Sequence, residues 1–285
     1  MATFYNQATL SYGGSVVNSN TTESELLSGL EITKTPITAT YTQNGNIVYA
    51  ISLRNMGSTA YSSLTLTDDL GAYTLSGGAV AVPLTYVSGS MLYYLNGVLQ
   101  PAPTVTTVGN LTVEGINLPA GGSALFVYEA TANEFAPIAS GSTIINTVTT
   151  DGGAGIGELS SSATVEVEEA PELTIAKAVC PAVINDNDQV TYTIIVQNLG
   201  NTPIAATDGV IISDIFNPIL AGITVTLNGT ALDETTGYTY NTATGAFATV
   251  DGVITVPAAT YTQDPTTGTV TTTPGVTVLT VSGTI

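Results

Sequence analysis

The chain has 285 residues and carries 22 Asp and Glu against 3 Lys and Arg, a formal net charge of -19, although only 9% of its residues are charged and 44% are hydrophobic. So few positive side chains exclude the phosphate contacts of nucleic-acid binding and any pull toward an anionic membrane surface. The length accommodates about two domains, each large enough to bury a core of its own.

Tyr is the main aromatic, Trp and His are absent, and small and β-branched residues dominate, a composition suited to short strands and tight turns. No apolar run approaches the roughly 20 residues of a membrane-spanning helix. Met1 to Tyr5 has neither a basic start nor an apolar stretch, so no signal peptide is recognisable. A place outside the cell, or on a cell or spore surface, then implies another route of export.

In chain order, Phe4, Asn6, Ala8 and Leu10 alternate along a first strand, which a Gly13-Gly14 turn returns through Asn20-Thr-Thr-Glu-Ser24. Next come Leu30-Glu-Ile-Thr-Lys34, Ile47-Val-Tyr-Ala-Ile51, an Asn55-Met-Gly57 turn and Leu64-Thr-Leu-Thr-Asp68. A Pro119-Ala-Gly-Gly122 turn leads to Leu125–Tyr128, then to strands around Asn146 and over Ala163–Val167. Glu168-Glu-Ala-Pro171 marks a boundary, since solvated acids and a proline stop a ladder. The series then restarts: Leu173-Thr-Ile-Ala-Lys177, Val190-Thr-Tyr-Thr-Ile194, Asn198-Leu-Gly200, Val210-Ile-Ile-Ser-Asp214, and after Pro274-Gly275 a strand over Val278–Val281. These are two copies of one unit. The expected fold is all-β: two tandem Ig-like or pilin-like antiparallel sandwiches over 30–170 and 171–285, preceded by a donor-strand segment over 1–29.

The copies differ at their ends. The second reaches Ile285 without counterparts of the last two strands of the first, whereas Thr3–Ala8 matches Thr143–Val148 and Asn20–Ser24 takes the place of Ala163–Val167. A sandwich short of two strands exposes its core and unpaired backbone groups, and a donated strand pair removes both faults. Leu27-Ser28-Gly29 reaches only about 10 Å, while the open end lies beyond a domain whose radius of gyration is about 13 Å. A second copy of the chain is therefore the expected partner, as a head-to-tail homopolymer. The competing expectation is a frayed N-terminal arm beside a short second copy.

Strand alternation turns Lys34 inward with Leu30 and Ile32, and Lys177 inward with Leu173 and Ile175. It places Asp68, Asp214, Asn146 and Asn6 inward too, and Asp69 outward. Burial lowers the pKa of a lysine and raises that of an aspartate, so Lys34 can attack the Asn146 carboxamide with Asp68 as proton shuttle. Lys177 can attack Asn6 of another copy in the same way, with Asp214 as shuttle. The competing expectation is a buried Lys–Asp ion pair hydrogen-bonded to Asn.

A first-strand Lys, a Tyr-bearing second strand, an Asn-x-Gly turn, an acid-ended strand and a late Asn strand resemble the conserved-repeat domain of bacterial surface proteins known as domain of unknown function eleven. Both copies carry the pattern. The Lys–Asn–Asp set is similar to that of collagen-adhesin-type pilin domains, which implies isopeptide bonds. A two-repeat chain of this kind is similar to endospore appendage proteins, which implies assembly in the mother cell.

An enzyme is not expected beyond that single self-directed turnover: there is no His, no metal cluster, no phosphate loop and no nucleophile beside a base, and no cofactor is implied. A surface adhesin or an S-layer-like tile without covalent polymerisation are the rival functions. Asn185-Asp-Asn-Asp188 is either a calcium-binding turn or solvated, and Tyr93-Tyr94 either a ligand-stacking surface or part of a strand. Cys180 is either a small buried hydrophobe or the site of an inter-subunit disulfide.

Overall fold

The computed structural model describes residues 2–26, 29–151, 158–183, 185 and 188–285, without the side chains of residues 2–4 and 24–26. Almost all of its regular structure is antiparallel strand, with one 3-10 turn at Ala206–Asp208. No helix among the described residues is long and apolar enough to cross a membrane. The chain divides into two compact units, Met1–Ala136 with Thr143–Glu166, and Pro137–Ser142 with Val167–Ile285.

Strands β1 (Ala2–Asn6), β2 (Thr9–Tyr12), β3 (Ser15–Asn18) and β4 (Thr22–Leu26) form one long hairpin, β1 pairing with β4 and β2 with β3. Gly13 and Gly14, both at positive φ, make its two-residue turn. Asn6 lies opposite Thr22, so the counterpart of Ala163–Val167 begins two residues later than the expected Asn20. The tight turn and an extra residue bulged on the return strand set this register: two residues separate β1 from β2, and three separate β3 from β4. The shift of two leaves the faces unchanged.

The rest of the first unit comprises β5 (Leu30–Pro36), β6 (Thr40–Tyr41), β7 (Asn46–Asn55), β8 (Tyr61–Asp68), β9 (Tyr73–Thr74), β10 (Val80–Ala81), β11 (Leu84–Tyr86), β12 (Leu92–Leu95), β13 (Val98–Leu99), β14 (Val105–Thr106), β15 (Leu111–Leu118), β16 (Ser123–Ala132), β17 (Thr143–Asp151) and β18 (Glu158–Val167). One sheet runs β13-β12-β16-β7-β5 with β11 also on β16, the other β14-β15-β8-β17-β18-β6. Alternating residues of both fill the core: Ile47, Ile51, Leu53 and Phe126 from the first, Leu64, Leu66, Leu111, Val148 and Val165 from the second.

The second unit contains β19 (Leu173–Cys180), β20 (Gln189–Asn198), β21 (Ser213–Ile215), β22 (Ala221–Leu227), β23 (Thr230–Leu232), β24 (Tyr238–Asn241), β25 (Ala246–Thr249), β26 (Thr260–Gln263), β27 (Val270–Thr273) and β28 (Gly275–Thr284). Its main sheet is β19-β20-β28-β22-β23; β21-β25-β24 form a smaller one and β26-β27 a hairpin. The strand expected over Val210–Asp214 is shorter than the sequence suggests. Among the described residues β8 has ladders on both sides, whereas β21 has one only, with β25.

The repeat is written in the hydrogen bonds of its Asn-x-Gly corners. Asn55 Nδ2 donates to the carbonyls of Thr59 (2.8 Å) and Pro119 (2.9 Å), and its Oδ1 accepts from Gly57 N (2.9 Å). Asn198 Nδ2 donates to Thr202 (2.7 Å) and Pro257 (3.2 Å), and its Oδ1 accepts from Gly200 N (2.9 Å). Pro257, and not the expected Pro274, thus stands where Pro119 does. The second unit inserts the β26–β27 hairpin between Pro257 and Gly275. A Cβ at Gly275 would lie 1.9 Å from the Pro257 carbonyl oxygen, so this approach requires glycine.

Candidate functional site

In the first unit, strand alternation turns Lys34, Tyr49 and Tyr128 inward from one sheet and Asp68 and Asn146 inward from the other. All five are buried. Asp68 lies opposite Val148, which puts Asn146 one inward position along on the neighbouring strand. Lys34 Nζ donates to Asp68 Oδ2 at 2.6 Å, Tyr128 Oη donates to the same oxygen at 2.6 Å, and Asn146 Nδ2 donates to Tyr128 Oη at 3.0 Å. Tyr49, directly opposite Tyr128 in the ladder, stacks on it at 5.6 Å and lies 5.0 Å from Lys34 Nζ.

Burial pulls the Lys34 amine down to about 8 against the opposing pull of Asp68, and so brings the neutral, nucleophilic form within reach of ordinary pH. Burial, reinforced by the charge of Asp68, holds the Tyr128 phenol well above its usual value. Among the described residues, the buried Asn146 Oδ1 and Tyr49 hydroxyl have no hydrogen bond of ordinary length. Asp69 is taken up elsewhere: its Oδ1 accepts from Gly71 N and Thr147 N, each at 2.8 Å, which pins the start of a turn to β17. The two tyrosines were not among the site residues expected from sequence. The signal was there, since alternation puts both inward and a buried phenol needs a polar partner.

No family model matches this chain, and no curated protein matches it. Among solved structures, the major pilin subunit of Bacillus cereus is similar over 95% of this chain and 73% of that one, with 14% identity and a TM-score of 0.36. The major pilin of Streptococcus agalactiae, in a C-terminal fragment, is similar over 86% and 91%, with 14% identity and a TM-score of 0.36. A collagen-binding domain from a Staphylococcus aureus adhesin is similar over 50% and 98%, with 14% identity and a TM-score of 0.30. Likeness at this level does not carry a function, which rests on the chain's own residues.

In the second unit Lys177 Nζ donates to Asp214 Oδ2, and the amine lies over the Tyr192 ring at 4.4 Å and 5.2 Å from that of Phe216. The pair is formed at an open surface. The Lys177 side chain is 41% exposed where that of Lys34 is 0%. Leu173 and Ile175 are 41% and 65% exposed, against 2% and 9% for Leu30 and Ile32. No residue of β19 belongs to the apolar core of its unit.

Of the N-terminal segment, Asn6, Ala8 and Leu10 are exposed, and the side chain of Phe4 lies outside the described residues. Tyr93 is a strand residue, stacked on Phe126 at 4.7 Å. Cys180 is exposed, which overturns the buried expectation because strand alternation puts it on the outward face of β19, opposite to Lys177. Within Asn185–Asp188, residues 186 and 187 lie outside the described residues, and Asp188 Oδ2 caps the turn by accepting from Asn185 N at 2.7 Å.

Proposed function

We propose that this chain is a structural subunit of a surface fibre. The N-terminal hairpin of one copy covers the open inner face of β19 in the next, and amide bonds then fix the joint. Within a subunit Lys34 bonds to Asn146 with Asp68 as proton shuttle. Between subunits Lys177 bonds to Asn6 with Asp214 in the same role. The observation that carries this reading is the exposed β19 face, whose Lys177 is already paired with Asp214 of β21 but, among the described residues, has no asparagine hydrogen-bonded to the pair.

The N-terminal hairpin has the matching form. Asn6 lies opposite Thr22 in a β1–β4 ladder as Asn146 lies opposite Ala163 in the β17–β18 ladder. A two-stranded hairpin is at best marginally stable alone in water, and Leu10, Val16 and Val17 are all more than half exposed. Burying each large apolar side chain contributes about 1.5–3 kcal/mol, from which the cost of ordering the joint must be subtracted. A joint of that size is reversible; an amide bond at Asn6 makes it permanent. The repeating contact is heterologous and does not close, which yields a filament.

The test is electron microscopy of the full chain beside a chain lacking residues 1–26. Fibres from the full chain only are expected, with a 1–26 peptide shortening them by capping free ends. Fibres of ordinary length from the truncated chain, or monomers only from the full chain, would remove the reading.

A further inference from the structure

If the Lys34–Asn146 bond forms as proposed, two residues beyond the Lys–Asn–Asp set have work to do in it. We propose that Tyr128 carries the proton from Asp68 to the departing nitrogen of Asn146, and that Tyr49 donates to the carboxamide oxygen as charge builds on it. Both are catalytic residues of a single-turnover amide transfer.

The geometry supplies an unbroken chain. Asn146 Nδ2 donates to Tyr128 Oη at 3.0 Å, Tyr128 Oη donates to Asp68 Oδ2 at 2.6 Å, and Lys34 Nζ donates to that same oxygen at 2.6 Å. Lys34 first gives Asp68 a proton and becomes a neutral amine. Its lone pair attacks Asn146 Cγ, forming the Nζ–Cγ bond, and the carbonyl π electrons move to Oδ1. In the planar amide Nδ2 can only donate, because its lone pair is delocalised. In the tetrahedral intermediate that lone pair is localised and Nδ2 becomes an acceptor.

The hydrogen-bond chain then reverses. Asp68 donates to Tyr128 and Tyr128 donates to Nδ2, the Cγ–Nδ2 bond breaks, and the nitrogen leaves as ammonia. Lys34 gives up two protons in all, one departing in the ammonia and the other remaining on Asp68, so charge balances throughout. Tyr128 acts by exchanging hydroxyl protons and never as a phenolate, in keeping with its raised pKa.

Tyr49 completes the arrangement through two buried atoms. Its hydroxyl and Asn146 Oδ1 are both buried with no hydrogen bond of ordinary length among the described residues, and a longer polar contact with the Asn146 side chain offsets part of the rise that burial imposes on the Tyr49 phenol. A buried donor and a buried acceptor without full hydrogen bonds are costly in the resting state. Once Oδ1 carries charge, that donor stabilises it in a site without water. The second unit keeps only half of this arrangement. Tyr192 occupies the register position of Tyr49, but Val281 faces it where Tyr128 faces Tyr49. Asp214 must therefore reach the donated asparagine without a tyrosine between.

The experiment follows full-length chains by intact mass during cell-free synthesis, reading the loss of one ammonia against time. Tyr128→Phe should slow closure of the first unit about 10²-fold or more, and Tyr49→Phe about 10²-fold. Fibres of Tyr128→Phe should still resist boiling detergent, since the second unit has no such relay. Should Tyr128→Phe fold poorly, difluorotyrosine at 128 keeps the ring and moves the pH dependence of closure to lower pH. Closure of both phenylalanine variants at the wild-type rate, or an unmoved pH profile with difluorotyrosine, overturns the relay and leaves the bond standing. A wild type that never loses ammonia removes the bond itself and the relay with it.

Discussion

β5 and β19 are the same strand written twice, and they meet opposite fates. Each presents two aliphatic residues and a lysine from one face, and each lysine is paired with an aspartate from the facing sheet. Leu30 and Ile32 are in the core; Leu173 and Ile175 are at the surface. In the first unit β17 and β18 extend the facing sheet, and among the described residues of the second unit nothing takes their place. Burial of the lysine is thus a property of the covering strands and not of the strand that bears it. On the proposed function, the pair at the open surface of β19 becomes a reactive set only when a strand pair closes over it.

Several substitutions test that contrast, measured by urea denaturation of monomers in an Asn146→Ala background that cannot close. Asp68→Ala strands a buried ammonium and should cost about 3–5 kcal/mol in the first unit. Ile32→Ala should cost about 2–5 kcal/mol, whereas Ile175→Ala at the open surface should stay within about 0.5 kcal/mol. Equal costs at Ile32 and Ile175 would mean that β19 is covered in the monomer.

The pH dependence is next in size. The folded Lys34 pKa lies near 8, below the ordinary 10.5, so between these values the unfolded chain binds more protons. Stability of the Asn146→Ala chain should therefore rise with pH from about 8 toward 10, by on the order of 3 kcal/mol at most. Above 10 it should fall, because the phenols of Tyr49 and Tyr128 are held protonated in the fold. A flat profile from pH 8 to 10 would mean that Lys34 is not desolvated. Asp214→Ala should cost at most about 1 kcal/mol, since that ion pair is partly exposed and screened by solvent. A cost like that of Asp68→Ala would erase the contrast.

Much of this was legible in the sequence because strand period two is simple arithmetic. The inward positions of Lys34, Asp68 and Asn146 and the outward position of Asp69 follow from it, and the Asn-x-Gly corners show as a motif that recurs in both units. Less legible were features set by partners far along the chain. Register in the N-terminal hairpin depends on a bulge that no residue type announces, so Thr22 and not Asn20 lies opposite Asn6. The hairpin inserted after Pro257 displaced the expected turn to Pro274, where a second Pro-Gly pattern mimics the first. The tyrosine pair escaped notice because cross-strand pairing of Tyr49 with Tyr128 depends on register, not on spacing.

The covalent joint is the central claim, and mature fibres boiled in detergent and reductant test it most directly. Reductant removes Cys180 as a link. Wild-type material should persist as a ladder of oligomers, Lys177→Ala and Asn6→Ala should each run as monomer, and mass spectrometry should find a Lys177–Asn6 linked peptide. Complete collapse of the wild-type fibres to monomer would contradict the account.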